Sequence, residues 1–425
     1  MLTREQNEAL TRVEGEAPMG RLMRKWAWIP FAIPSQIKVG EAPLKVRLLG
    51  EDFVAWRAPD GRIGFIDRDC PHRGASMALA RNEGCVLRCI FHGWTVDVSG
   101  KVVEALTHQP DPEAFAARVK VNHYPVREAG GLVWVWLGGE PVAEFPKLPF
   151  FELPEGHVWM TVTKAACNWL QGVEASLDSA HVGTLHKSWV PRQTEFDIRA
   201  YGSTRKANFL QALAPRYEVD RTPWGMSAIA LREMPDGSNH LRATQYVAPY
   251  INMVPRAPYG NGSLFIAVPV DDENHLLFFG FFSRQDQIGL DTPRVAAMVT
   301  NGRFVLEDYA PVKAGREDNY GQDRELMAQG HHSGFGENLL VEDMVTQISM
   351  GPIRDRTRDH LSSSDVAIVQ ARLLLLQALR NDAEGRHPLA PADPRYLMED
   401  AMPVDALAPP DSEWRKVLAG QRQTA

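Results

Sequence analysis

The sequence predicts an α+β protein made of a small all-β unit followed by a larger unit of strands and helices. Three observations lead there. From Trp26 to about Gly138, apolar residues come in short runs between turn signals. Pro141, Pro146, Pro149 and Pro154 then crowd into a stretch with the character of a linker. Beyond it, apolar residues at helical spacing alternate with β-rich runs. The expected boundaries are an N-terminal arm over 1–24, the β unit over 25–140, a linker over 141–155, the second unit over 156–385 and a tail over 386–425.

In the first unit, Phe53–Arg57 and Ile63–Ile66 flank Ala58-Pro59-Asp60-Gly61 and read as a hairpin. Leu132–Leu137 reads as a closing strand buried on both faces. In the second unit, Asn168 to about His186 reads as a helix, with Trp169, Val173, Leu177 and Ala180 on one face. Met226–Leu231, Leu241–Ala248, Leu264–Val270 and Leu276–Phe282 read as strands. A polar, Gly-containing loop region is expected from about Pro311 to Asn338, and a long helix from near Asp365. The Pro-rich tail after Arg386 is expected to lie over the surface.

Composition narrows the function. Of 425 residues, 44% are hydrophobic and 23% charged, as in ordinary globular proteins. Acidic residues outnumber basic ones 53 to 46, which gives no support to nucleic-acid binding. No apolar run is long enough to span a membrane, and Met1-Leu2-Thr3-Arg4-Glu5 is no signal peptide. Four cysteines do not make a disulfide scaffold, so the expectation is a cytoplasmic enzyme.

Two of those cysteines sit in a distinctive pattern. Cys70-Pro71-His72-Arg73-Gly74 is followed, with sixteen residues between His72 and Cys89, by Cys89-Ile90-Phe91-His92-Gly93-Trp94. Two thiolates and two imidazoles as C-x-H and C-x-x-H form the ligand set of a Rieske [2Fe–2S] cluster, in which two histidines replace two cysteines on one iron. A structural zinc site uses the same donors, but zinc fingers usually place their cysteines first and histidines second. Cys85 and Cys167 read as packed thiols.

A second constellation lies on the helix after the linker, Glu174-x₃-Asp178-x₂-His181-x₄-His186. Two histidines and a distant carboxylate make the triad of non-haem Fe(II) oxygenases, which leaves coordination positions open. His-x₄-His alone is a weak signal and gains force from the Rieske motif upstream.

With Asn168-Trp169-x-Gln171-x₂-Glu174 added to these residues, the chain resembles the oxygenase component of Rieske non-haem iron oxygenases. It is most similar to the phthalate dioxygenase branch, through Asn7, Leu10-Thr11-Arg12, Pro18-Met19-Gly20, Glu342-Asp343, Gly351-Pro352-Ile353-x-Asp355-Arg356 and His360-Leu361-x₃-Asp365-x₆-Arg372. The resemblance runs from about residue 5 to 385. It implies a β-sheet Rieske domain followed by a helix-grip catalytic domain, an antiparallel sheet with helices that holds mononuclear iron.

The resemblance also matches Asp365 to the third iron ligand. The competing reading is a cap, since Ser362-Ser363-Ser364-Asp365 is good capping chemistry, and Glu342, Asp343, Asp355 and Asp359 are alternative carboxylates nearby; the ligand reading of Asp365 is favoured. It gives Asp178 the role of linking His181 to His92 or His72 of a neighbouring subunit, and so implies a homo-trimer or a hexamer. It also implies a separate NADH-dependent reductase carrying FMN and a plant-type [2Fe–2S] centre. The chain itself shows no G-x-G-x-x-G opening a βαβ unit for such cofactors.

The branch implies an aromatic carboxylate substrate of phthalate or benzoate type, dihydroxylated with O₂ in aromatic catabolism. A carboxylate in an apolar pocket calls for an arginine fork. The candidates are Arg205 and Arg242, with Arg232 as a third option and Ser179 facing the same pocket. Arg242, Thr244 and Tyr246 alternate along one strand and share a face. Alternatives are a monooxygenase that demethylates or cleaves an aryl ether, a Rieske electron carrier, and a zinc-stabilised binding module. The carrier would not need the residues beyond the linker.

Overall fold

A strand forms where apolar side chains can be buried on alternate or both faces, and such runs set both units of this chain. The computed structural model describes residues 2–189, 212–256, 261–284, 312, 315–336, 339–389, 398 and 401–424. Contacts divide the chain into Val13–Phe145 and a second unit made of Met1–Arg12 with Pro146–Ala425.

The expected N-terminal arm is two helices, α1 (Arg4–Thr11) and α2 (Pro18–Trp26). Thr3 and Gln6 close a capping box at the start of α1. Helix α1 belongs with the second unit rather than hanging free, because Leu10 is an apolar side chain with no exposure.

The first unit contains three antiparallel sheets. One is β1 (Ile29–Ala32), β10 (Leu132–Val135) and β9 (Val126–Ala129), in that order. The second is β2 (Leu44–Leu48), β3 (Glu51–Arg57) and β4 (Ile63–Asp67), which contains the expected hairpin. The third runs from β5 (Arg81–Asn82) through β6 (Val86–Arg88) and β7 (Thr95–Asp97) to β8 (Val102–Glu104), and the short helix α3 (Pro112–Ala116) follows it. Cys70, Cys89 and Trp94 pack with Trp56, Met77 and Leu87 in its core.

The second unit is built on one eight-stranded sheet, ordered β11 (Val158–Ala165), β17 (His275–Phe282), β16 (Asn261–Pro269), β15 (Ile251–Arg256), β14 (Asn239–Val247), β13 (Gly225–Glu233) and β12 (Arg216–Thr222). The eighth strand, β18 (Val404–Ala408), pairs with the first half of β14, while β15 pairs with its second half. The expected surface tail is therefore partly a sheet strand. Val404, Ala406 and Ala408 alternate inward against Ile229, Leu231, Leu241 and Ala243, and Leu418 of a closing helix covers them.

That packing turns Arg242, Thr244 and Tyr246 to the opposite face, the expected sharing. This face receives helix α4 (Trp169–Leu177): Asn252, paired with Tyr246, donates to Val173 O and Ser176 Oγ of the helix. Helix α6 (Leu339–Ser349) and helix α7 (Val366–Ala383) follow, with the five-residue α5 (Arg324–Ala328) before them. A 3₁₀ turn at Arg316–Gly321 and α5 give 315–336 more structure than the expected loop. Among the described residues no helix is long and apolar enough to cross a membrane.

Candidate metal centres

The two cysteine–histidine loops are built alike. In the first, Gly74 N–H donates to Cys70 O at 2.9 Å and Cys70 N–H donates to Ala75 O at 2.8 Å. In the second, Gly93 N–H donates to Cys89 O at 3.0 Å and Cys89 N–H to Trp94 O at 2.9 Å. Each turn closes only because Gly74 and Gly93 take φ of +72° and +74°, where a Cβ is penalised. The matched turns bring the ligands together: His72 Nδ1 and His92 Nδ1 lie 3.1 Å apart. The ring of His72 stacks on Trp94 at 4.6 Å, and the Trp94 Nε1–H is anchored on Thr107.

Burial, followed by the neighbouring Cys89, pushes the Cys70 thiol up to about 11. A thiol so placed ionises when a cationic centre binds it, so two sulfurs and two facing Nδ1 atoms fit a [2Fe–2S] cluster. The other cysteines divide. Cys167 is buried, and burial raises its thiol to about 12. Cys85 is exposed, a correction to the expected packed thiol.

The second centre depends on α4, whose polar side chains are all fixed. Asn168 caps it and ties it to Thr11 O and Asp272 O, and Gln171 holds Gln347 O and Gly351 O. Glu174 receives a bidentate pair from Arg356 at 2.8 and 3.0 Å and a third bond from Arg372 at 2.7 Å. Burial raises the Glu174 carboxyl, but Arg356 and Arg372 hold it below its ordinary value. Gly172 leaves no room for a Cβ, which would sit 2.8 Å from His275 and 2.9 Å from Ala267.

The helix stops at Leu177 instead of running to His186. Asp178 is its C-cap in an extended conformation, and a 3₁₀ turn follows at His181–Gly183. Beyond the cap, Asp178 still reaches the ring, with Oδ2 3.4 Å from His181 Nδ1 and Oδ1 taking the Ala180 N–H. Burial opposes ionisation of Asp178, yet hydrogen bonding to His181 leaves the carboxyl below its ordinary value.

Asp343 of α6 supplies the carboxylate that meets both histidines. Its Oδ1 lies 3.0 Å from His186 Nε2 and 3.5 Å from His181 Nε2. Ligand atoms of His181, His186 and Asp343 all fall within 4.8 Å of one another. Burial lowers and Asp343 raises the basicity of His186, and the balance puts it at about 9. Two imidazoles facing one carboxylate are a donor set that fits non-haem iron.

Asp365, the expected ligand, is elsewhere. Its Oδ2 takes the Ser362 N–H at 2.6 Å and the Ser362 hydroxyl at 2.9 Å, in a capping box at the start of α7. The physical reason is local: a carboxylate three residues past a serine closes that turn. The signal for Asp343 lay in Leu339-Leu340-Val341-Glu342-Asp343-Met344-Val345, two acids inside an apolar helical run.

The expected substrate residues have mixed placements. Arg205 lies outside the described residues. Arg242, on the α4 face, is buried, donates to Pro255 O at 2.6 Å and has Nε 3.5 Å from Asp405. Arg232 grips Ser179 through its carbonyl at 2.6 Å and its hydroxyl at 3.1 Å, and the Ser179 N–H donates to Tyr217. Ser179 is thus held by protein groups, a role its sequence position did not suggest. Burial, then Arg242, pushes Arg232 down to about 10.

Comparison with known proteins gives the family. Residues 27–125 match the Rieske [2Fe-2S] domain, and residues 135–425 match the LigXa C-terminal domain like family. The phthalate 4,5-dioxygenase oxygenase subunit of Pseudomonas putida is 34% identical over 99% of this chain and 95% of its own length. The 3-chlorobenzoate-3,4-dioxygenase oxygenase subunit of Comamonas testosteroni is 33% identical over 90% of each. The 5,5'-dehydrodivanillate O-demethylase oxygenase subunit of Sphingobium sp. is 32% identical over 92% of this chain and 83% of its own length. In fold, dicamba monooxygenase bound to dicamba aligns with a TM-score of 0.55 at 19% identity, covering 85% of this chain and 99% of its own.

The protein is an oxidoreductase of the Rieske non-haem iron class. It belongs to the aromatic ring-hydroxylating oxygenase family as an oxygenase component, which works with a separate electron-donating partner. The family carries a [2Fe–2S] cluster and a mononuclear iron.

Proposed function

We propose that this chain cis-dihydroxylates an aromatic carboxylate, a phthalate-type or benzoate-type acid, holding the cluster on Cys70, His72, Cys89 and His92 and iron on His181, His186 and Asp343. The observation that carries the reading is the convergence of His181 Nε2 and His186 Nε2 on Asp343 Oδ1. The phthalate and chlorobenzoate dioxygenase relatives support the substrate class. When bound, the cluster supplies electrons singly and ferrous iron activates dioxygen.

The protein's own side chains orient and hold charge. Asp178 fixes His181 from behind and, with 23% of its side chain exposed, can receive a cluster histidine of a neighbouring subunit. That role calls for a homo-trimer or hexamer. The electron donor on this reading is an NADH-dependent reductase with FMN and a plant-type [2Fe–2S] centre, in the cytoplasm. Arg242 and Arg205 are the candidate carboxylate anchors, Arg242 standing on the sheet face that receives α4. Arg232 and Ser179 hold the turn that carries Asp178.

The test is a single turnover of reduced protein with O₂ and, in turn, phthalate, isophthalate, terephthalate, benzoate and phenoxybenzoate. One acid should speed cluster reoxidation and yield a dihydroxylated product. If every acid leaves the cluster reduced with iron present, the aromatic-acid reading falls. The O-demethylase relative favours a second reading, and formaldehyde released from a methoxylated acid would select it.

A further inference from the structure

His181 and His186 each turn Nε2 toward Asp343 and Nδ1 toward a second carboxylate, but the two second carboxylates differ. Asp178 stands behind His181 at 3.4 Å with a side chain 23% exposed. Glu342 stands behind His186 at 2.7 Å with none of its side chain exposed. Its other oxygen accepts the Ser333 hydroxyl.

Ser333 is itself fixed. Gln322 Nε2–H donates to its carbonyl at 2.6 Å, and the Phe335 N–H donates to its hydroxyl oxygen at 3.2 Å. The neighbouring His332 N–H donates to Ser188 Oγ at 2.9 Å, two residues after His186. Gly334 lets the chain turn here, with φ of +78° and Asp323 O only 2.7 Å from where a Cβ would lie.

We propose that Glu342, held by Ser333, is a positioning residue that fixes His186 with its proton on Nδ1 and Nε2 free for a metal ion. The inference rests on the iron-site reading above. A charged acceptor at Nδ1 also makes the imidazole a stronger donor, and removing such a partner costs about 10–100-fold in metal affinity. The burial of Glu342 sets its job apart from that of Asp178: it is sealed against any neighbouring subunit.

The test uses Co(II) as probe on full-length protein stripped of mononuclear iron with the cluster intact and oxidised. Affinity is read by equilibrium dialysis, and the site by the EPR of high-spin Co(II), since the oxidised cluster is silent. Glu342→Gln keeps the shape and removes the charge. It should weaken Co(II) binding about tenfold and change the EPR signal, Glu342→Ala should lose up to about a hundredfold, and Ser333→Ala less than either.

Wild-type affinity and signal in Glu342→Gln overturn the proposal, and that variant decides alone if Glu342→Ala does not fold. His186→Ala and Asp343→Ala test the underlying centre separately. If either keeps wild-type Co(II) affinity, the iron-site reading falls; if both lose it while Glu342→Gln does not, only the role of Glu342 falls.

Discussion

The two metal centres are assembled by opposite routes. The proposed cluster ligands lie in two loops, Cys70–Ala75 and Cys89–Trp94, each closed by the same pair of backbone hydrogen bonds around a left-handed glycine. The ligand geometry is written within each loop, and the surrounding sheets only hold the loops face to face. At the second centre, His181 and His186 come from a turn after α4 and Asp343 comes from α6, far along the chain. There the geometry exists only after the sheet has packed against α4. Local encoding makes a centre resistant to changes elsewhere, whereas tertiary encoding makes it depend on every contact that seats the helix.

The largest effects should separate the centres cleanly. Cys89→Ser should abolish the visible absorption of the cluster while Co(II) binding at the histidine–carboxylate site persists. Loss of both centres from that one change would break the contrast. Asp343→Ala should do the reverse, keeping cluster absorption and losing mononuclear iron by metal analysis, with no substrate-triggered reoxidation. Retained iron in that variant would remove Asp343 from the ligand set.

The same contrast explains what could be read from the sequence. The Cys70, His72, Cys89 and His92 set was legible because its spacing alone defines the loops. His181 and His186 were legible as a pair, although the helix expected to carry both ends at Leu177. The third ligand was expected at Asp365, because one turn holding a carboxylate at a helix start looks like another. Asp365 closes its own turn with Ser362, while the two acids Glu342 and Asp343 inside an apolar run were the signal passed over, and both are buried. The tail was misjudged for a related reason: β18 completes an edge that only the folded sheet creates. Arginines 356 and 372, noticed as branch features, turn out to grip Glu174.

That grip is the next point at which to strain the second centre. Glu174→Ala leaves the buried Arg356 without its carboxylate and Arg372 with Asp359 alone, a change that costs about 3–5 kcal/mol. Calorimetry should show the catalytic unit unfolding at lower temperature, with cluster absorption following the first unit. The carboxyl of Glu174 is held below its ordinary value of 4.5, so its stabilisation is fully present above that pH. The stabilisation is lost as pH falls through the lowered value. The wild-type and Glu174→Ala proteins should therefore converge in stability under acid, and a gap that widened there would contradict the assigned sign.

The smallest expected effect is also the sharpest on the encoding of the second centre. Asp365→Ala removes the oxygen that takes the Ser362 N–H and hydroxyl, and a lost cap costs about 0.5–2 kcal/mol. Nothing in that geometry reaches His181 or His186, whose Nε2 atoms already meet Asp343. Iron content and the rate of cluster reoxidation in the Asp365→Ala variant should thus match wild type while thermal stability drops by a few degrees. Loss of iron with unchanged stability would reverse the roles of Asp365 and Asp343, and would show that a local turn, not the packing of α6 against the histidine turn, supplies the third ligand.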